Sequence, residues 1–324
     1  MRKTNAPKVY FCPHTESANV SRFISTVFQE YDNASFSLPE KLAIKVHSGE
    51  RGNKNFLKPL YVRHCIHTIP EISNGTIVEC NTAYEGARHD FDSHSKLMTE
   101  HGWTDEFATF EILDAYTPDL VLNIPNGKVL KKNYVGKGLK NYKSCLVISH
   151  FKGHPMGGFG GALKQLSIGF ASAKGKVYIH GYGSFERGQE NLTTIKSANQ
   201  EAFITAMADA ASSIVSFFKN HIMYINFMKD ISVSCDCDAN APAPCMKDIG
   251  VLVSLDPVAI DQACYDLLEE SHDKGSSKVL NRIHSLQGDQ ILKDAEALGI
   301  GSRSYTLKEL DITDNAKRIK EEYE

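Results

Sequence analysis

The chain alternates between short continuous apolar runs and longer segments in which apolar residues recur with helical spacing. Short apolar runs bounded by polar residues or glycine are typical of strands buried on both faces of a sheet. They predict strands at residues 8–11, 42–47, 76–80, 119–123, 145–148, 177–180, 223–227 and 249–254. Helical spacing predicts helices at residues 18–30, 57–69, 93–102 and 198–220, a further helix starting at Asp256-Pro257, and one or two more between 280 and 310.

Strands separated by connections of helix length predict an α/β fold, with a mostly parallel sheet and helices on both faces. A chain of 324 residues can form a single domain over residues 1–324 or two α/β lobes that divide near residues 145–195. Loops that follow parallel strands gather at one edge of the sheet. We therefore expect one shared rim after the strands that end at His47, Cys80, Asn123 and Ile148.

A glycine-rich segment, SHFKGHPMGGFGGALK at residues 149–164, joins a predicted strand to a predicted helix start. Glycines let the backbone approach a ligand closely, and a helix N-terminus carries partial positive charge. The segment lacks the G-x-x-x-x-G-K-[ST] spacing of a P-loop. Its bland interpretation is a glycine-rich turn with basic residues at the surface. The functional interpretation is a site for a carboxylate or phosphate, formed by Gly157, Gly158, Gly160, Gly161 and Lys164, with Asn81 and Tyr84 from a neighbouring loop.

The same rim is rich in histidine and basic residues. Histidine can act as an acid or a base near neutral pH, or bind a metal ion, and we assign these roles to His150 and His154. Lys152 would be an electrostatic clamp, and Lys45 and Arg88 also suit an anionic substrate. The chain has neither a G-x-S-x-G elbow nor a G-x-G-x-x-G fingerprint, which argues against a serine hydrolase and a dinucleotide dehydrogenase.

Three cysteines form the clearest metal signal. Cys235 and Cys237 flank a single residue, and Cys245 follows after seven more. Three soft thiolates suit zinc or iron, and we expect the three sulfurs to lie close together. The competing interpretation is thiols without a metal, or a disulfide to Cys245. The other five cysteines lie in apolar patterns and are expected in the core: Cys12, Cys65, Cys80, Cys145 and Cys264.

Composition narrows the class of partner. The formal net charge of -3 argues against a general nucleic-acid binder. The N-terminal segment is interrupted too quickly for a signal peptide, and no apolar run approaches the length of a membrane span. We therefore expect a cytoplasmic protein that binds no membrane and no nucleic acid, and whose partner is a small anionic ligand.

Several motifs together resemble one family. They are Ala43–His47 with Gly49-Glu50 and Gly52-Asn53, Asn81–Tyr84 with Gly86 and Arg88, His94 with His101-Gly102, residues 149–154 and 161–164, Cys235–Asp238, Asp248–Leu252 and Asp256–Ala263. The chain resembles the uncharacterised proteins catalogued as domain of unknown function 362. Many members are similar to ferredoxins in one inserted segment with cysteines for a four-iron cluster. Residues 180–194 contain no cysteine, so no intact ferredoxin motif is expected here.

The residues lead to one hypothesis and two alternatives. The first is a metal-dependent enzyme that acts on a small anionic substrate, with zinc or iron at the rim. The second is a non-catalytic metal- or cofactor-binding protein associated with redox enzymes. The third, by analogy only, is a cofactor-dependent isomerase like the nickel-pincer lactate racemase.

Overall fold

A computed structural model describes residues 6–33, 37–67, 69, 75–104, 108–116, 119–184, 199–310 and 312. Its strands are β1 (Lys8–Cys12), β2 (Leu42–Lys45), β3 (Thr76–Glu79), β4 (Phe110–Ile112), β5 (Leu120–Asn123), β6 (Lys132–Val135), β7 (Ser144–His150), β8 (Lys152–His154), β9 (Gly158–Gly160), β10 (Ile222–Met228), β11 (Gly250–Ser254) and β12 (Thr306–Glu309). Its helices are α1 (Ser17–Asn33), α2 (Pro59–His67), α3 (Phe91–Glu100), α4 (Ala162–Lys164), α5 (Ala173–His180), α6 (Gln200–Phe218), α7 (Pro257–Glu270), α8 (Ser276–Ser285) and α9 (Gln290–Ala297). A 3₁₀ turn spans Lys137–Asn141, and a π-helical turn, Gln165–Gly169, continues α4.

The main sheet has eight strands in the order β12-β1-β11-β10-β7-β2-β3-β4. Strand β7 pairs in parallel with β2 and β10, and β3 pairs in parallel with β2 and β4. Strand β11 runs antiparallel to both of its neighbours, and β12 lies parallel to β1 at the edge. The predicted α/β class with a mostly parallel sheet is therefore confirmed. The sheet takes strands from both sides of residues 145–195, and a division into lobes there stays a prediction.

Both faces of this sheet are covered, because side chains alternate along each buried strand. On β7, Leu146 and Ile148 pack into one apolar cluster with α1 and α2. Cys145 and Val147 pack into the other cluster, with α6 and α7. The five cysteines expected in the core are all buried, in one cluster or the other: Cys12, Cys65, Cys80, Cys145 and Cys264.

Helix α6 is, within the described residues, the one helix whose length and composition would allow it to cross a membrane. It is a core helix here, since 72% of its most apolar window is buried inside the protein. Its buried Asp209 accepts hydrogen bonds from the backbone N–H groups of residues 128–130. The helix thereby anchors the loop between β5 and β6.

Two strand predictions need correction. Residues 120–123 are not part of the main sheet, and β5 instead pairs with β6 in a separate antiparallel ribbon. Its side chains alternate between half-buried and exposed, so LVLN was a one-sided strand and not one buried on both faces. Residues 177–180 are helical and form the end of α5, because Ser172 caps the helix through the Gly175 N–H. A four-residue apolar run cannot distinguish these two states by periodicity.

The glycine-rich segment is also more structured than a loop. Residues 152–160 form an antiparallel hairpin of β8 and β9, and the helix starts only at Ala162. At the turn, Gly158 has a φ of 78° and its Cα faces Gly288, so a side chain there would meet backbone at 2.7 Å. The sequence signal for glycine thus reflects close packing of this hairpin against the loop after α8.

Candidate functional site

The loops after β2, β3 and β10 meet the hairpin after β7 at the carboxyl edge of the sheet. The Glu50 N–H donates to the Asp236 carbonyl at 2.8 Å, and the Asn53 side chain donates to the Cys235 carbonyl at 3.3 Å. Between these loops and α5 lies a cavity of ≈ 260 Å³. Its wall carries the titratable side chains His47, Glu79, Tyr84, Arg88, His154, Lys164, Lys176, His180 and Cys237.

A cluster of His154, Cys235 and Cys237 lies at this wall. The His154 ring nitrogen and the two sulfurs are all within 4.8 Å of one another, and both His154 and Cys237 line the cavity. The Lys164 ammonium lies 3.6 Å from the Cys235 sulfur, and the Cys237 N–H donates to the same sulfur at 3.4 Å. Two thiols and one imidazole are donor types that could hold a soft metal ion.

The two sulfurs share one proton unequally. Burial opposes ionisation of Cys235, but the Cys237 thiol and the positive charges around it outweigh burial and hold the pKa of Cys235 well below its usual range. The same hydrogen bond, together with burial, raises the pKa of Cys237. The thiolate is therefore favoured at Cys235 and the thiol at Cys237.

Two histidines face this sulfur with a defined tautomer. His154 Nδ1 accepts from the backbone N–H groups of Met156 at 3.2 Å and Gly157 at 2.8 Å, so its proton sits on Nε2. His47 Nδ1 accepts from the Gly49 N–H at 3.1 Å, and its side chain also hydrogen-bonds Cys235. Burial, with Arg88 nearby, lowers the pKa of His47 to about 4, and burial lowers that of His154. Both rings therefore stay neutral at pH 7 and present an N–H toward sulfur.

Asp236, between the two cysteines, belongs to a different network. Its carboxylate lies 2.9 Å from His150 Nδ1 and 2.7 Å from the Lys152 ammonium. His150 Nε2 is 2.6 Å from the Lys229 carbonyl, so both ring nitrogens are occupied. Burial raises the pKa of Asp236, but His150 and Lys152 lower that pKa by more than burial raises it. The carboxylate therefore stays ionised. Of the predicted catalytic residues, His150 and Lys152 thus hold the cysteine loop and are not among the side chains that line the cavity.

A second network supports the floor of the site. The Lys45 ammonium is fully buried and lies 2.8 Å from the Glu79 carboxylate. Arg88 lies 3.3 Å from Glu50 and 3.8 Å from Glu79, and it donates to the Tyr84 hydroxyl at 2.8 Å. Arg88 and Tyr84 reach the cavity, whereas Lys45 does not line it.

Two predicted ligand contacts lie elsewhere. Asn81 hydrogen-bonds the ring of the buried His94 at 3.1 Å and lines a separate cavity together with Asp114 and Ser172. At the helix start, the Ala162 and Leu163 N–H groups each donate to the Asp261 carboxylate at 2.8 Å, and the anion cradle at residues 157–161 stays a prediction. The protein's own carboxylate thus occupies that position. Gly157 donates to His154, Gly158 and Gly160 belong to the hairpin, and Gly161 packs against Asp261; of the cradle residues, Lys164 alone lines the cavity.

The predicted metal set also changes. Cys245 is not in the cluster, since its sulfur contacts the carbonyls of Ile231 at 3.5 Å and Gly275 at 3.7 Å. Its place beside Cys235 and Cys237 is taken by His154, which comes from the hairpin. Seven residues containing two prolines lead the chain away from the cluster toward α8, whereas the hairpin folds back onto it.

Sequence reasoning missed Lys176 and His180, which line the cavity from α5. They are four residues apart and therefore on one helix face. The signal was present as K-x-x-x-H after a serine cap, but it carries meaning only once residues 173–180 are assigned as a helix.

Comparison with known proteins adds a family. The family described as "Domain of unknown function (DUF362)" matches residues 42–266, so the chain belongs to this family. No curated protein sequence matches the chain. A crystal structure of a Thermotoga maritima protein is similar with 12% identity and a TM-score of 0.47, covering 79% of this chain and 60% of that one. The lactate racemase apoprotein from Thermoanaerobacterium thermosaccharolyticum gives 12% identity and a TM-score of 0.47, covering 84% of this chain and 59% of that one. The chain thus spans about three fifths of the length of these two proteins.

Proposed function

We propose that this member of the DUF362 family is an enzyme that acts on a small carboxylate- or phosphate-bearing substrate held in the cavity. One observation carries the proposal: two lysines in the cavity wall, Lys164 and Lys176, are more than nine-tenths buried without a carboxylate partner among the described residues. An ammonium group taken out of water is costly unless an opposite charge compensates it. A ligand anion supplies that charge.

The other buried cations around the site are already compensated. Lys45 is paired with Glu79, Arg88 with Glu50, and Lys152 with Asp236. In the part of the chain that the structure describes, the Lys164 ammonium contacts only the Cys235 sulfur, at 3.6 Å, and the Lys176 ammonium donates only to the Ala171 carbonyl, at 2.6 Å. Within the described residues, Lys176 on α5 is therefore the buried cation without an anionic partner, and Lys164 on α4 has a single sulfur to balance its charge. The volume, ≈ 260 Å³, is below that of a typical drug-sized pocket and suits a small metabolite.

The second part of the proposal concerns the cluster of His154, Cys235 and Cys237. We propose that it binds zinc or iron, with the remaining coordination position directed to the cavity. The donor types support this, and so does the placement of His154 and Cys237 at the wall. A metal ion there would supply Lewis-acid polarisation of a substrate oxygen.

A specific observation favours a second form of the function, in which the cluster works as a metal-free thiolate. His154 keeps its proton on Nε2, the nitrogen that faces sulfur, because two backbone N–H groups occupy Nδ1. A metal ion must displace that proton, and the nearby Lys164 ammonium repels a divalent cation. In this form, Cys235 is held as a thiolate by the protein's own donors.

Anion binding is tested by thermal denaturation with inorganic phosphate or pyruvate, against sodium chloride of equal ionic strength. A ligand that binds only the native state stabilises it, by about 2.7 kcal/mol at a hundred times its Kd. The parent and Lys174→Met should respond, because Lys174 is exposed. Lys164→Met and Lys176→Met should lose most of the response. A parent that responds to neither anion more than to chloride contradicts the proposal.

Metal binding is tested on protein without a histidine tag, by measuring zinc and iron after exchange into metal-containing buffer. Cys237→Ser should lose the metal, whereas Cys245→Ser, the matched control outside the cluster, should retain it. Parent protein that holds no metal under these conditions, while still binding phosphate or pyruvate, rejects the metal and leaves the thiolate form. Equal loss of metal in both variants places the site elsewhere.

A further inference from the structure

Helix α5 places an amine and an imidazole side by side in the cavity. Lys176 and His180 are one helical turn apart, both are buried, and both line the wall. Neither belongs to the cluster of His154, Cys235 and Cys237 or to the Asp236 network. Their chemistry is therefore a separate question from that of the sulfurs.

The imidazole of His180 has a fixed orientation. Its Nδ1 donates to the Lys176 carbonyl at 2.7 Å, and its ring stacks on Phe203 with centroids 4.6 Å apart. Nε2 therefore carries a lone pair, and no hydrogen bond to it is found among the described residues. An unoccupied basic nitrogen at a cavity wall is a candidate for proton transfer to and from a bound ligand.

The amine of Lys176 is poised differently from an ordinary surface lysine. Burial lowers its pKa, and the nearby Cys80, Asp114 and Glu79 only partly restore it. No carboxylate lies within ion-pair distance of its nitrogen in the described part of the chain, and its one hydrogen bond is to a carbonyl. A lysine with a lowered pKa has more of the neutral amine available, which is the form that is nucleophilic toward carbonyl carbon.

We propose that Lys176 forms an imine with the carbonyl carbon of a small 2-oxo carboxylate, and that His180 carries the protons of this step. The inference rests on the proposed function, in which Lys164 at the same wall binds the carboxylate of the substrate. It narrows the substrate class from any small anion to one that also bears a reactive carbonyl group.

The step balances without an oxidant or a cofactor. The neutral amine of Lys176 adds to the carbonyl carbon, and the C–N bond forms as the C=O π bond breaks. One proton passes from nitrogen through His180 Nε2 to the oxygen, which gives a carbinolamine. His180 Nε2 accepts a proton from nitrogen and returns it to the hydroxyl group, which leaves as water while the C=N bond forms. One amine and one carbonyl give one imine and one water, and no group is oxidised or reduced.

The test is reductive trapping with pyruvate and sodium borohydride, which delivers hydride to the imine and leaves a stable secondary amine. Intact mass should show one reduced pyruvate per chain, and peptide mapping should place it on Lys176. Labelling there should exceed that of Lys174 at least about tenfold, because Lys174 is exposed and is not among the residues that line the cavity. Lys174→Met should take up the adduct normally. Lys176→Arg keeps the positive charge, and its intact mass should show no reduced pyruvate.

Two further variants separate imine chemistry from binding. His180→Gln should slow labelling more than tenfold without weakening stabilisation by phosphate. Acetone, which lacks the carboxylate, should give no adduct at equal concentration. Stabilisation by pyruvate without any adduct on Lys176 overturns the imine and leaves the proposed function intact. Equal labelling of Lys174 and Lys176 overturns it as non-specific modification, and absence of both stabilisation and adduct overturns the two proposals together.

Discussion

Two buried lysines, Lys152 and Lys176, differ in their charge partners, and their pKa values shift in opposite directions. Lys152, in β8, lies 2.7 Å from the Asp236 carboxylate and also donates to the His150 carbonyl at 3.0 Å. Burial lowers the pKa of Lys152, but Asp236 outweighs burial and holds that pKa above its ordinary value. Lys176, in α5, has a carbonyl as its only hydrogen-bond partner among the described residues, and burial leaves its pKa below the ordinary value.

The difference separates charges that hold the structure from charges that await a ligand. The Asp236 carboxylate, both ring nitrogens of His150 and the Lys152 ammonium all have protein partners. This network fixes the cysteine loop relative to the hairpin. The α5 side keeps a cation and a histidine nitrogen without comparable partners in the described residues. Buried polar groups without partners lower the stability of the folded protein, and such groups are concentrated at functional sites.

The largest expected effect is on the compensated side. Lys152→Met leaves the fully buried Asp236 with one partner fewer, and breaking a buried pair in this way costs about 3–5 kcal/mol in the free energy of unfolding. Urea denaturation measures the loss. Adding Asp236→Asn to Lys152→Met should restore part of the stability, because it removes the orphaned charge. A single variant as stable as the parent would show that the network is solvated.

Particular residues show how far the sequence could predict this arrangement. The strand at 145–148 and the helix beginning at Asp256-Pro257 were predictable, because apolar runs and N-cap chemistry are local signals. The sequence could not predict that the Asp261 carboxylate accepts the N–H of Ala162 at the helix start, since Asp261 lies about a hundred residues away in the chain. The replacement of Cys245 by His154 has the same cause: the third member of the cluster is decided by how the hairpin packs, and not by spacing along the chain.

A smaller effect is expected from the pH dependence of His180. Burial, with His154, Lys164 and Lys176 nearby, lowers its pKa to about 4, whereas an unfolded histidine titrates near ~6.5. Below the unfolded value the unfolded chain binds a proton that the native protein does not, so stability is lost as the pH falls. Between pH 7 and 5 this loss is about 2 kcal/mol for one such histidine. His180→Gln should therefore lose about 2 kcal/mol less than the parent over this range, measured by urea denaturation at each pH. Parallel curves for the two proteins would contradict the burial of a neutral ring.

The smallest effect has the opposite sign and tests the comparison most sharply. Lys176→Met replaces a buried ammonium that lacks a carboxylate partner with an apolar side chain of similar length. Replacing buried charge by well-packed apolar groups is often neutral or stabilising, by about 1–4 kcal/mol, and Lys176 keeps a carbonyl partner that limits the gain to about 1–2 kcal/mol.

We expect Lys176→Met to unfold at higher urea concentration than the parent in phosphate-free buffer, whereas Lys174→Met should stay within about 0.5 kcal/mol because its side chain is exposed. The advantage of Lys176→Met should shrink when phosphate is added, since only the parent gains stability from the anion. Loss of stability in Lys176→Met would mean that this lysine holds the helix as Lys152 holds the hairpin, and the distinction between the two sides of the site would disappear.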